Sequence, residues 1–136
     1  MKRLSGLKLL EEREGEGRQA GKDDRVVYNT RIFLNQGDEV PLNDLQAKQV
    51  PNEMIRVVDG VTFIDHTTVL GQRQTIAGIE HALAGMKAGG YRKVRIGPHL
   101  AYRDKGIPDL IPADAVLVVE LWMREIPMSE LNRSKR

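Results

Sequence analysis

The chain of 136 residues is 40% hydrophobic and 29% charged, a composition typical of one globular domain and not of a disordered segment. It contains no cysteine, which excludes disulfides, thiolate nucleophiles and zinc–thiolate sites. The formal charge is +2 and the only basic cluster is the terminal segment 132–136, so we do not expect nucleic acid as a partner. No apolar run reaches the roughly 18–20 residues of a membrane helix. The N-terminus meets glutamates before any signal-peptide core, and we expect a cytoplasmic protein that binds no membrane.

The first half of the chain is predicted to consist of strands joined by turns. The segments RLSGLKLLEE (3–12) and RVVYNTRIFL (25–34) predict two strands, and the charged stretch between them predicts turns. Asp59-Gly60 stands between the apolar runs MIRVV and VTFID. Asp-Gly in that setting predicts a two-residue hairpin, because both turn positions require a positive φ.

The segment TIAGIEHALAGMKAGG (75–90) predicts the one clear helix. Apolar residues recur at three- and four-residue steps from Ile76 to Met86 and share one face. Thr75 is the predicted N-cap, and Gly89-Gly90 is the predicted end.

Two strands are predicted after this helix. YRKVRI (91–96) alternates, and AVLVVELWM (115–123) is almost continuously apolar, which is typical of a strand at the centre of a sheet. No strand–helix–strand alternation recurs, which favours an antiparallel sheet packed on a helix, an α+β domain. We predict one domain over 1–126 and a flexible charged tail over 127–136.

Residues for acid–base, metal or phosphate chemistry are scarce. His66, His81 and His99 lack the paired spacing of a metal-binding helix, and the three serines lie near the chain ends. The glycines of GEGRQAG lack the strand–loop–helix setting of a phosphate-binding loop. The sequence therefore predicts neither a metal nor a cofactor.

Three stretches, in order and spacing, resemble the FKBP-type peptidyl-prolyl isomerases. LGQRQTIAGIEHALAGMKAGGYRKVRI (70–96) resembles the family's Leu-Gly, Ile-x-Gly, helix and Gly-Met pattern with the strand that follows it. GPHLAYRDKGIPDLIPADAVLVVEL (97–121) is similar to its Pro-x-x-Ala-Tyr loop, Ile-Pro segment and closing strand. VVYNTRIFLNQGDEV (26–40) sits where the family has a Val-x-Tyr strand and a glycine turn. The resemblance implies an antiparallel sheet half-wrapped around one short helix, with an apolar pocket between them and an extra hairpin insert over about 41–68.

The resemblance also implies a site. Tyr102 matches the tyrosine whose hydroxyl bonds to the substrate carbonyl, and we expect it to be the catalytic residue. The implied substrate pocket contains Asn29, Val40, Thr75, Ile76, Ile79, Ala101, Leu110, Ile111 and Val119. Asn29, Ile79 and Val119 stand where the family has tyrosine, tryptophan and phenylalanine, and Val40 stands for another phenylalanine. We therefore expect a pocket that has lost most of its aromatic walls.

Two functions are compatible with these residues. The first is a weak prolyl isomerase without a cofactor, acting on X-Pro bonds of peptides or unfolded proteins, with a macrolide as a further ligand class. The second is a non-catalytic binding or chaperone module that uses the insert hairpin as a protein-binding surface.

Overall fold

The computed structural model describes residues 4–128 as a mostly antiparallel sheet packed on one main helix. Its strands are β1 (Leu7–Arg13), β2 (Glu16–Gln19), β3 (Arg25–Leu34), β4 (Glu39–Val40), β5 (Ile55–Val58), β6 (Val61–Ile64), β7 (His66–Val69), β8 (Lys87–Ala88), β9 (Tyr91–Ile96) and β10 (Leu117–Glu125), and its helices are α1 (Leu42–Ala47) and α2 (Ala77–Leu83). The main sheet has the order β1-β9-β10-β3-β4, and β7 also pairs with β3. Two small sheets pair β2 with β8 and β5 with β6. The predicted α+β class is confirmed.

Strand β10 lies at the centre of the main sheet, as its apolar sequence predicts. Leu117 pairs with Ile96 of β9 on one side and with Leu34 of β3 on the other. Alternate residues from Leu117 to Met123 are buried in the core. On the opposite face, Trp122 packs between Phe63 and Tyr91, with both ring centroids 5.2 Å from its own.

Helix α2 is shorter at both ends than the sequence predicts. Its N-cap position is Ile76 and not Thr75, and no side chain caps it. The helix ends early because Gly85 adopts a φ of 84° and donates its N–H to the Ala20 carbonyl at 2.8 Å. The predicted end at Gly89-Gly90 is wrong, since the chain has already formed β8 by that point.

The C-terminal end of α2 is held by a buried arginine from β9. Nη1 of Arg92 donates to the carbonyl oxygens of Ala82 and Ala84 at 3.0 and 2.8 Å, and Nε donates to Glu12 of β1 at 2.6 Å. The guanidinium therefore supplies donors to helix carbonyls that have no partner within the helix. This bond set fixes α2 against the sheet.

The segment between β4 and α2 contains the predicted hairpin and an element that the sequence did not reveal. Asp59 and Gly60 have φ values of 51° and 79°, and Val58 pairs with Val61 across the turn, so the hairpin is confirmed. Helix α1, which precedes it, is only six residues long and has no buried residue, so its apolar pattern is too short to predict a helix.

A charged tail is predicted over 127–136, and its residues from 129 onward lie outside the described part of the chain. Within residues 4–128, no helix is long and apolar enough to cross a membrane. The same residues hold no cluster of three or more histidine, aspartate or glutamate side chains that could bind a metal ion.

Candidate functional site

A cavity of about 250 Å³ opens between α2, the β3–β4 edge of the main sheet, β7 and the insert helix α1. Its wall is formed by Tyr28, Thr30, Ile32, Val40, Leu42, Asn43, Gln46, His66, Thr67, Thr68, Gln74, Thr75, Ile79 and Tyr102. Only four of these fourteen side chains are aliphatic. The apolar lining that the resemblance implies is therefore not present, because α1 and β7 contribute mostly hydroxyl and amide groups.

Tyr102 stands on the cavity wall at the start of a loop that is fixed by its own backbone. Its carbonyl accepts from Gly106 N–H at 3.0 Å, and the carbonyl of Arg103 accepts from Asp114 N–H at 2.8 Å. The Tyr102 side chain is half-buried, and within residues 4–128 its hydroxyl has no hydrogen-bond partner. Burial raises the pKa of Tyr102. The phenol therefore stays protonated at neutral pH and is available as a donor to a bound molecule.

A second tyrosine, which the sequence analysis did not place in the pocket, also faces the cavity. Tyr28 of β3 is 5% exposed, and its ring centroid lies 5.4 Å from that of His66 at an interplanar angle of 31°. Burial raises the pKa of Tyr28, and the polar side chain of the nearby Thr75 opposes that rise. The available signal was the alternation of β3, because Tyr28 shares the inward face with the fully buried Val26.

Asn29 is buried but points to the opposite face of β3. Its Nδ2 donates to the Ile64 carbonyl at 2.9 Å and to the Asp65 carboxylate at 2.6 Å, which ties the hairpin to the main sheet. Asn29 therefore does not line the cavity, whereas its neighbour Tyr28 does. Matching by sequence position alone missed this because a shift of one residue exchanges the two faces of a strand.

The other predicted pocket residues divide into two groups. Those on the cavity wall are Val40, Thr75, Ile79 and Tyr102. Those that lie in the hydrophobic core or pack against it, and not on the wall, are Ile76, Ala101, Leu110, Ile111 and Val119. Val119 is wholly covered because it points inward from the central strand, and so it cannot contact a ligand in the cavity.

The insert supplies the wall residues that sequence reasoning did not find. Leu42, Asn43 and Gln46 come from α1, and His66, Thr67 and Thr68 come from β7. The length of the 41–68 segment was visible in the sequence, but nothing in it showed that both its ends return to the site.

Among the described residues, 4–128, those on the cavity wall include no aspartate, glutamate, lysine or arginine. The imidazole of His66 is on the wall. Burial lowers the pKa of His66, and the nearby Asp65 carboxylate opposes that lowering. At neutral pH the wall is therefore uncharged. Such a site can hold and orient a neutral peptide.

A second depression lies on the outer face of the sheet, under the β5–β6 hairpin. It measures about 330 Å³ and its floor includes Phe63 and Trp122. At the hairpin tip, Val57 and Val58 are 65% and 45% exposed. This surface is separate from the cavity around Tyr102.

Comparison with known proteins gives a consistent assignment. The family described as FKBP-type peptidyl-prolyl cis-trans isomerase matches residues 16–123. FK506-binding protein 1A of Neurospora crassa is 30% identical over 118 residues, which cover 86% of this chain and 85% of that protein. FK506-binding protein 4 of Aspergillus fumigatus is 28% identical over 93% of this chain, which spans only 22% of that longer protein. The peptidyl-prolyl cis-trans isomerase FPR2 of Saccharomyces cerevisiae is 28% identical over 64% of this chain and 75% of its own length. This chain belongs to the FKBP-type peptidyl-prolyl cis-trans isomerase family.

Proposed function

We propose that the cavity beside Tyr102 binds X-Pro segments of peptides or unfolded proteins and catalyses their cis–trans isomerisation. The observation that carries the proposal is a tyrosine hydroxyl on the wall of an uncharged cavity, with no partner among residues 4–128. Family membership supports the reaction type. A cytoplasmic location is part of the proposal and is supported by the absence of cysteine.

Prolyl isomerisation suits this cavity because the reaction needs no acid–base step. Rotation about a peptide bond is opposed by a barrier of about 18–20 kcal/mol, because the planar amide is stabilised by resonance. X-Pro bonds therefore isomerise over tens to hundreds of seconds without a catalyst. The twisted transition state is less polar than either planar isomer, and a protein cavity that replaces bulk water favours it. A hydrogen bond from Tyr102 to the substrate carbonyl would hold the chain while the prolyl ring turns.

We expect the rate enhancement to be weak. Ten of the fourteen wall residues are polar, so the cavity resembles water more closely than an aromatic pocket does, and its advantage over water is smaller. Ile79 also offers less contact area than the tryptophan that the resemblance places there. The relatives are named for binding FK506, and we expect such a macrolide to compete with peptide for the same cavity.

The test compares Tyr102→Phe with wild type in a proline-peptide isomerisation assay. A neutral hydrogen bond contributes about 0.5–1.5 kcal/mol, so kcat/KM should fall about 2- to 12-fold. Tyr91→Phe is the matched control, because the Tyr91 phenol bonds to Glu120 on the outer face of the sheet and should leave kcat/KM unchanged. Absence of any rate enhancement by the wild type at tens of micromolar protein would rule out the isomerase, whereas equal rates for both variants would remove Tyr102 from the mechanism.

A second function is favoured by the exposed valines of the hairpin. Val57 and Val58 form an apolar tip beside the depression floored by Phe63 and Trp122, which is a surface suited to weak binding of unfolded chains. Refolding yield of an aggregating client would separate the two functions. Val57→Ser should lower the yield if the hairpin binds clients, while Tyr102→Phe should lower it only if isomerisation limits refolding.

A further inference from the structure

Some polar groups on the cavity wall are already satisfied by the protein. Asn43 Nδ2 donates to the Thr30 carbonyl at 2.8 Å. The Gln74 side-chain oxygen accepts from Val69 N–H at 2.8 Å. These bonds hold the insert against β3 and fix the turn before α2, so both residues contribute structure and have less capacity left for a ligand.

A second set of polar groups on the wall is unused. The carboxamide of Gln46 and the imidazole of His66 are half-buried, and neither has a hydrogen-bond partner within residues 4–128. Gln46 comes from α1 and His66 from β7, so both belong to the segment between β4 and α2. When the cavity is empty, water can satisfy them. When a ligand fills it, the ligand must supply their partners or leave them without any.

We propose that this cavity selects X-Pro segments in which the residue X carries a hydroxyl or carboxamide side chain. The inference rests on the isomerase function proposed above. A cavity of about 250 Å³ lies just below the range of about 300–1,000 Å³ for small-molecule sites, so a prolyl ring leaves room for little more than one neighbouring side chain. Threonine or glutamine at X can bond to Gln46 and His66, whereas valine or methionine of the same shape cannot. A ligand that covers these half-buried polar groups without supplying a partner binds less well than one that bonds to them.

The experiment uses isosteric peptide pairs. Wild-type kcat/KM is measured at neutral pH for peptides with Thr-Pro against Val-Pro and with Gln-Pro against Met-Pro. The expected preference for the polar member is about tenfold, since one unmet hydrogen bond has about that effect on an equilibrium. Gln46→Met and His66→Phe, singly and combined, should reduce the preference towards about one.

The controls are the same two substitutions placed outside the cavity. Gln49→Met lies just after α1, and His81→Phe lies on the exposed side of α2. Both should retain the wild-type preference. Equal or better turnover of Val-Pro and Met-Pro by the wild type would overturn the inference while leaving the isomerase function intact.

A chemical-shift titration that measures the binding of the same four peptides distinguishes the proposed selectivity from the proposed isomerase activity. If no peptide is isomerised but Thr-Pro and Gln-Pro bind more tightly than their isosteres, the selectivity stands and the catalytic function fails. If the four peptides bind equally and kcat/KM also shows no preference for the polar member, the selectivity is refuted, and if no peptide binds or is isomerised, both proposals fail.

Discussion

The packing of α2 on the sheet depends on the missing side chain of Gly78. A methyl group added there would lie 2.8 Å from Cδ1 of the buried Ile96, and still closer to its Cγ2, whereas carbon atoms in contact prefer about 3.5–4.0 Å. The helix must therefore move away from β9. Overpacking of this kind costs about 1–3 kcal/mol, and the better helix propensity of alanine recovers at most about 1 kcal/mol.

We therefore expect Gly78→Ala to lower the free energy of unfolding by about 1–2 kcal/mol and Tm by about 3–8 °C. Urea denaturation and a thermal melt, both followed by circular dichroism, measure this. Gly21→Ala is the control, because its added methyl group meets nothing nearer than 3.9 Å and its φ is not positive. That variant should be neutral or more stable by up to ~1 kcal/mol.

A double-mutant cycle with Ile96→Ala tests the cause. Ile96→Ala alone should cost about 2–5 kcal/mol because it empties a buried site. In that background the clash is gone, so Gly78→Ala should become neutral or stabilising by up to ~1 kcal/mol. An equal cost of Gly78→Ala in both backgrounds would show that contact with Ile96 is not what requires glycine.

Two further predictions concern buried groups. Arg92→Lys should lower the free energy of unfolding by about 1–3 kcal/mol. The reason is that an ammonium cannot bond at once to two carbonyls at the end of α2 and to a carboxylate on β1, as the guanidinium does. The control is Arg95→Lys on the exposed side of the same strand, which should change the free energy of unfolding by less than about 0.5 kcal/mol. Burial lowers the pKa of His66 in the folded protein below its ordinary value of 6.5, so the unfolded chain binds the proton more readily. The stability that depends on a neutral His66 is therefore complete above pH 6.5 and is lost as the pH falls towards the folded pKa. Between about pH 7.5 and about pH 5, wild type should therefore lose more stability than His66→Phe, and parallel loss in the two proteins would contradict the burial argument.

The elements that the sequence predicted well are those specified by local signals. Asp59-Gly60 specifies its own hairpin, and the apolar run of β10 is typical of a strand at the centre of a sheet. The elements that were missed depend on distant partners. Strand β8 is two residues long and exists because it pairs with β2, and the early end of α2 depends on the bond from Gly85 to Ala20. Neither partner is marked by spacing along the chain.

The site was predicted less well than the fold, for a related reason. Of the predicted pocket residues, Tyr102, Thr75 and Ile79 lie on the cavity wall, and each sits in a motif of fixed spacing. Tyr28 was not predicted to line the cavity, because Asn29, the next residue of the strand, was chosen instead. Neighbouring residues of a strand point to opposite faces of the sheet, so an error of one position selects the wrong face. Which side chains of the insert reach the cavity depends on how α1 and β7 fold back, and polar residues there look like ordinary surface residues in the sequence.

The insert is consequently part of the cavity as well as a candidate binding surface, and this limits how the two proposed functions can be separated. Six wall residues come from α1 and β7, which lie on either side of the β5–β6 hairpin. The hairpin itself is tied to β3 by the bonds of Asn29. Deleting the whole insert would remove one side of the cavity, so a loss of isomerase activity and a loss of client binding would appear together. Substitutions at the hairpin tip avoid this, because Val57 is 65% exposed and is not among the residues that line the cavity. A Val57→Ser protein that isomerises peptides normally but no longer prevents client aggregation would assign the two activities to opposite faces of β3.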